Sequence, residues 1–238
     1  GGFAANLNAS ELNGNNGFRI DGVVASADLS GFSVHSAGDF NGDGFDDVII
    51  GAPGVNRDNA TRDLGAAYVV FGHAGGFSAS LNVASLNGIN GFKMTGANPN
   101  DYTGWSVSSA GDIDGDGFDD LIIGTAGIDV CYVVYGTPGA MPSSFELSQL
   151  LVNGRGFKII GEFFNGFPDE NVGRSVSTAG DFNGDGYDDL LVGAPSTGPD
   201  QAGACYVVYG SATQRPNNLR LESLNGANGF KIIGEAPG

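Results

Sequence analysis

The chain has 238 residues, 42 of them Gly, and 27 acidic against 10 basic side chains give a formal net charge of −17. An apolar fraction of 41% with 16 Phe and 7 Tyr can build a core and excludes wholesale disorder; so negative a surface repels nucleic-acid phosphates and anionic lipid, so neither is an expected partner. No apolar run reaches the roughly 18 residues that span a bilayer, so no membrane insertion is expected, and two Cys cannot frame a disulfide scaffold.

In chain order, residues 1–26 come first and match residues 213–238 at a constant offset of 212, with Leu7 on Leu219, Leu12 on Leu224, Gly14 on Gly226 and Phe18 on Phe230. Three copies of a longer unit follow, at 27–96, 97–161 and 162–238. The first carries four apolar or β-branched runs, at 33–36, 47–50, 67–71 and 92–95, separated by Gly-, Asn- and Pro-rich turns. Such runs of four or five residues bounded by turn signals predict strands. Gly31-Phe32-Ser33-Val34 returns as Gly104-Trp105-Ser106-Val107 and Gly173-Arg174-Ser175-Val176, and the later runs return in step. A helix-like pattern is confined to 146–151, in a connection. Four antiparallel strands per roughly 70-residue unit predict an all-β chain of β-propeller blades, stable only when neighbours stack. Residues 1–26 then read as the outer strand of a preceding blade and its linker, giving three full blades plus an orphan strand.

Each unit places oxygen-bearing residues at alternate positions of the loop after its first strand. Asp39, Asn41, Asp43 and Asp47 occupy positions 1, 3, 5 and 9 of the first, with Gly44 at position 6. Asp112, Asp114, Asp116 and Asp120 repeat the pattern around Gly117, and Asp181, Asn183, Asp185 and Asp189 repeat it around Gly186. Gly at position 6 permits the positive φ that curls the loop, and position 7 (Phe45, Phe118, Tyr187) would offer a backbone carbonyl. All-oxygen, carboxylate-rich ligation selects a hard cation, and a flexible loop favours Ca²⁺ over octahedral Mg²⁺, so three Ca²⁺ sites are expected. The loops hold 13 of the 27 acids, which without cations should repel one another. An EF-hand would carry Glu at position 12, where Ile50, Ile123 and Val192 stand.

With these loops and the Gly-Ala-Pro elements at 51–53 and 193–195, the unit resembles the FG-GAP repeat of the seven-bladed propeller in integrin α subunits, which also occurs in bacterial secreted and surface proteins. The resemblance implies that the cation loop joins the innermost strand to the second on one rim. It implies an extracellular, non-catalytic module for adhesion or recognition. The middle unit departs at Gly124-Thr125-Ala126, and Ser30, Thr103 and Val172 stand where the family has Phe; these changes bear on inter-blade packing, not on the metal loops. Seven such units need about 490 residues, so the chain reads as a piece of a longer array, the rival being a subunit that completes itself with copies, as a closed oligomer or a filament. A third arrangement is an accessory domain of a secreted hydrolase.

Unit-specific function is expected in the non-repeating loops at 56–64, 97–103, 162–172 and 196–202. Tyr102, Trp105, Phe163, Phe164 and Phe167 are candidates for contact with a protein or glycan ligand, or for inter-blade filling. His35 and His73 have no counterparts in the other units and read as structural. Cys131 and Cys205, at equivalent positions of neighbouring blades, should be too far apart to pair. Arg19, Lys93, Lys158 and Lys231 share one position of the fourth strand and read as a solvated edge. Asn8-Ala9-Ser10 and Asn59-Ala60-Thr61 match the N-glycosylation pattern.

Overall fold

A computed structural model describes residues 8–23, 28–55, 63–164, 167–168, 171–197, 202–213 and 215–235. Its strands are β1 (Arg19–Asp21), β2 (Ser33–Gly38), β3 (Asp47–Ala52), β4 (Ala66–Val70), β5 (Ser80–Asn82) and β6 (Gly91–Thr95). Then come β7 (Ser106–Gly111), β8 (Asp120–Gly124), β9 (Val130–Val134), β10 (Ser144–Glu146) and β11 (Gly156–Ile160). The last are β12 (Phe163–Phe164), β13 (Phe167–Pro168), β14 (Ser175–Gly180), β15 (Asp189–Ala194), β16 (Ala204–Val208), β17 (Asn218–Arg220) and β18 (Gly229–Ile233). One α-helical turn, α1 (Leu150–Asn153), lies in the connection where the helix-like pattern falls.

The expected four-stranded antiparallel blades are present. From the inner edge outward they run β2-β3-β4-β6, β7-β8-β9-β11 and β14-β15-β16-β18. The fold is all-β, built of open sheets rather than a closed barrel. The first two blades carry an addition: β10 pairs parallel with β6, and β17 pairs parallel with β11, so each outer edge is covered by a short strand from the next unit. By the same rule β5 pairs parallel with β1, the outer strand of the N-terminal stretch.

This addition corrects the reading of the lysines as a solvated edge. For Lys93 and Lys158 the strand is not the edge, whereas Lys231 lies on β18, the outermost strand of its sheet, and Arg19 is exposed and paired with Asp21, as a solvated position would be. The three lysines lie half-buried over tyrosine rings of the neighbouring strand. Lys93 Nζ is 5.7 Å from the Tyr68 ring centre, Lys158 5.3 Å from Tyr132 and Lys231 5.2 Å from Tyr206. Lys231 also pairs with Glu162 at 2.7 Å.

Alternation along each strand sends one row of apolar side chains to each sheet face, and neighbouring blades bury those rows against each other. Ile49, Val69, Phe92 and Met94 of the first blade meet Leu121, Ile123, Tyr132 and Val134 of the second. Ile122, Val133, Phe157 and Ile159 of the second meet Leu190, Val192, Tyr206 and Val208 of the third. Each such side chain is worth about 1.5–3 kcal/mol in burial, so the blades hold one another. On the third blade's far face Ile232, the equivalent of the buried Met94 and Ile159, is 53% exposed.

Candidate metal centre

Each inner strand ends in a bulge, with the register shifting between Ser36 and Gly38, Ser109 and Gly111, and Thr178 and Gly180. The bulge turns the chain into the loop, which curls because its position-6 glycines take φ of +89°, +92° and +92°. A side chain there would carry a left-handed backbone penalty.

The first aspartate organises the loop from within. Asp39 accepts the Asp43 and Gly44 N–H groups, both at 2.9 Å. Asp112 accepts from Gly115 at 2.7 Å, Asp116 at 3.0 Å and Gly117 at 2.9 Å. Asp181 does the same for Gly184 (2.8 Å), Asp185 (3.0 Å) and Gly186 (3.0 Å). The fifth position then accepts from the seventh: Phe45 to Asp43, Phe118 to Asp116 and Tyr187 to Asp185, each at 3.0 Å. The side chains at positions 1, 3 and 5 are thus gathered by backbone donors.

In the second loop this gathering brings oxygens of Asp112, Asp114 and Asp116 within 4.8 Å of one another. Burial, and then the neighbouring Asp116 charge, push the Asp114 carboxyl above the usual range. The first and third loops carry Asn at position 3, whose amide donates to the position-5 carboxylate at 3.0 Å (Asn41 to Asp43) and 2.8 Å (Asn183 to Asp185). An amide donor there relieves some of the repulsion that the second loop retains.

Position 9 is the most buried. Asp47, Asp120 and Asp189 are at most 1% exposed. Each accepts an N–H from the residue ending the third strand's turn: Gly72 at 2.8 Å, Gly136 at 2.7 Å and Gly210 at 2.8 Å. Asp120 also accepts from Ile113 at 3.0 Å, and Asp189 from Phe182 at 2.9 Å. Burial pushes Asp47 to about 7 and Asp120 to about 8; the glycine N–H groups pull the other way, and the nearby loop carboxylates push further up. The Asp47 Oδ2 atom is buried without a hydrogen-bond partner. An orphaned carboxylate oxygen beside gathered oxygen side chains is a donor set that fits a hard cation. Asp120 does not join the close Asp112, Asp114 and Asp116 group; its oxygens are engaged by backbone, each keeping a second lone pair.

Two of the aromatic candidates are described. Trp105 is half-buried, its ring centre 4.7 Å from Phe32 and 5.0 Å from the Arg174 guanidinium. These three occupy the same position in successive blades, at the start of the inner strand and so at the opposite end from the cation loop. Tyr102 is half-buried and takes a left-handed conformation (φ +50°), a conformation shared by the exposed Leu29 (+55°) and by Asn171 (+87°) at the same position of the other units. The side chains of Phe163, Phe164 and Phe167 and the 59–61 glycosylation pattern lie outside the described residues. Cys131 and Cys205 are free thiols, as expected.

The fold and loops together define a propeller-blade repeat protein with an oxygen-rich loop on each inner hairpin. The FG-GAP repeat model matches residues 30–70, 103–128 and 172–208. The chain is 31% identical over 215 residues to integrin alpha pat-2 of Caenorhabditis elegans, covering 84% of this chain and 15% of that one. It is 32% identical over 184 residues to integrin alpha-V of Gallus gallus, covering 77% of this chain and 15% of that one. A shorter match, 36% identical over 124 residues, joins 47% of the chain to 13% of the phosphatidylinositol-glycan-specific phospholipase D of Mus musculus. The chain belongs to the FG-GAP repeat family, and it spans about a seventh of the length of those integrins.

Proposed function

We propose that the chain is an extracellular, calcium-stabilised propeller segment, without catalytic machinery, that presents loops to a protein ligand. The observation that carries this reading is the threefold repetition of a loop whose oxygen side chains are gathered by backbone donors, set in integrin-like blades. Asp39, Asn41, Asp43, Asp47 and the Phe45 carbonyl would hold the first cation. Asp112, Asp114, Asp116, Asp120 and the Phe118 carbonyl would hold the second; Asp181, Asn183, Asp185, Asp189 and the Tyr187 carbonyl, the third. The cation would supply positive charge that closes each loop, nothing more. Millimolar extracellular calcium suits such moderate-affinity loops. Neither histidine is built as a catalytic base: His35 is exposed with Nδ1 3.0 Å from the Ser36 carbonyl, and His73 packs on Phe77 with ring centres 4.4 Å apart. Trp105 and Tyr102 lie on the rim opposite the cation loops, where a protein or glycan would be met. Among the described residues no helix is long and apolar enough to cross a membrane.

The test is retention of extracellular-matrix proteins and glycans on the immobilised chain, in calcium and in chelator. Retention that chelator abolishes is expected; binding of no matrix protein, or binding indifferent to chelator, would overturn the reading. A second reading is self-assembly into an oligomer or filament. Sedimentation in calcium decides it, since a monomer across a wide concentration range excludes it. The phospholipase D match keeps the accessory-domain arrangement in view.

A further inference from the structure

Loops 39–47 and 181–189 carry the same ligand set, Asp, Asn, Asp, Gly, aromatic and Asp at positions 1, 3, 5, 6, 7 and 9. Their surroundings differ. The Asp39 N–H donates to Asp119 Oδ2 at 2.8 Å, and the Asp119 N–H donates back to the Asp39 carbonyl at 3.4 Å. Asp119 stands at position 8 of the next blade's loop, 80 residues away. One position further along, the Thr137 N–H donates to the Phe40 carbonyl at 3.0 Å. The pattern repeats one blade on: Asp112 N–H to Asp188 Oδ2 at 2.9 Å, Asp188 N–H to the Asp112 carbonyl at 3.2 Å, and Ser211 N–H to the Ile113 carbonyl at 2.8 Å.

The fit is tight. A Cβ on Gly38 or Gly111 would overlap the Asp119 or Asp188 carboxylate, and one on Gly42 or Gly115 would overlap the Phe118 or Tyr187 ring. Around Gly180 and Gly184 of the third loop the same construction meets nothing within 4 Å. Asp119 and Asp188 are half-buried against the preceding loop, while Asp46, at the same position of the first blade, is exposed.

We infer that Asp119 and Asp188 are positioning residues that lock the cation loop of the preceding blade, so that loop closure is coupled from each blade to the one before it. The inference rests on the calcium reading above. The position-8 carboxylate accepts the backbone N–H of the residue that carries the first ligand and so fixes that backbone, so that the gathered geometry exists before a cation arrives. Pre-organisation of this kind lowers the ordering cost of binding. The third loop, with no such brace among the described residues, pays that cost itself.

The test is a Ca²⁺ titration of the full chain followed by two-dimensional NMR, in which the amides of Gly44, Gly117 and Gly186 report the three loops separately. In the parent, Gly44 should titrate at a concentration about tenfold below Gly186, the effect of losing one charge-assisted hydrogen bond, roughly 1.4 kcal/mol. Asp119→Ala should weaken the Gly44 titration about tenfold and leave Gly186 unchanged; Asp188→Ala should do the same to Gly117. Asp119→Asn, which keeps an acceptor but not the charge, should restore most of the loss. Asp46→Ala, removing an equal charge from the first loop itself, should change Gly44 by less than about twofold.

Equal titration of Gly44 and Gly186 in the parent overturns the proposal, and that comparison stands even if a variant fails to fold. So does an Asn variant as weak as the Ala variant, which would make the effect one of charge alone. If no glycine signal responds to Ca²⁺, the calcium reading itself fails and the coupling with it; three responses indifferent to Asp119 and Asp188 sink the coupling alone.

Discussion

Asp120→Ala is the substitution for which the structure gives the clearest magnitude. The side chain accepts Gly136 N–H at 2.7 Å and Ile113 N–H at 3.0 Å in a fully buried site. Alanine leaves both donors without an acceptor, and each such loss costs about 1–3 kcal/mol. Together they remove roughly 2–6 kcal/mol from a stability on the order of 5–15 kcal/mol. Relief of a buried charge offsets little of this in metal-free protein at pH 7, because burial holds the carboxyl at about 8 and it is largely protonated. Asp120→Asn keeps one acceptor and should lose about half as much. Urea unfolding in chelator, read by Trp105 fluorescence, measures these differences without any cation contribution. Trp105 is well placed to report, since its ring packs at a tilt against Phe32 of one neighbouring blade and under the Arg174 guanidinium of the other. An Asp120→Ala protein that unfolds at the same urea concentration as the parent, or a higher one, would refute the view that this aspartate is a backbone clamp.

Three further outcomes follow from the geometry. In chelator, Asp47 and Asp120 take up protons in the folded state that the unfolded chain releases, since burial raises them from 3.8 to about 7 and about 8. Their contribution to stability is therefore full below about pH 4 and lost as pH rises through 7–8. The melting temperature of metal-free protein should fall between pH 5 and 8.5, and a flat or rising profile contradicts the burial argument. Ile123→Ala, emptying a fully buried site between the first two blades, should cost about 2–5 kcal/mol; Ile232→Ala on the exposed far face should cost under about 1 kcal/mol, both measured by urea midpoint. Asp116→Ala should lower the melting temperature far more in calcium than in chelator, because its carboxylate belongs to the gathered oxygens of the second loop.

Much of this was legible because the repeat writes each feature three times. Strands such as 47–50 and 67–71 stand out as β-branched runs between turn residues, and the loops stand out by alternate Asp and Asn around one Gly. The covering strands β5, β10 and β17 escaped because each is three residues long with a single apolar side chain, and its partner belongs to the preceding unit. The recurrence of Ser80-Leu81-Asn82, Ser144-Phe145-Glu146 and Asn218-Leu219-Arg220 ahead of each fourth strand was the available signal. Missing those strands also made the Lys93 and Lys158 positions look like an edge. The bonds from Asp119 to Asp39 and from Asp188 to Asp112 span 80 and 76 residues, and spacing within one loop carries no information about them. What the sequence did offer was an Asp at position 8 in all three units, with no ligand role to explain it.

The central claim is that the three loops are calcium sites that stabilise the blades. Isothermal titration of chelator-stripped protein with Ca²⁺, with thermal unfolding of the same samples, tests it most directly. The account predicts saturation at three Ca²⁺ per chain and a melting temperature that climbs with occupancy. No binding heat and an unchanged melting temperature at millimolar Ca²⁺ would contradict it.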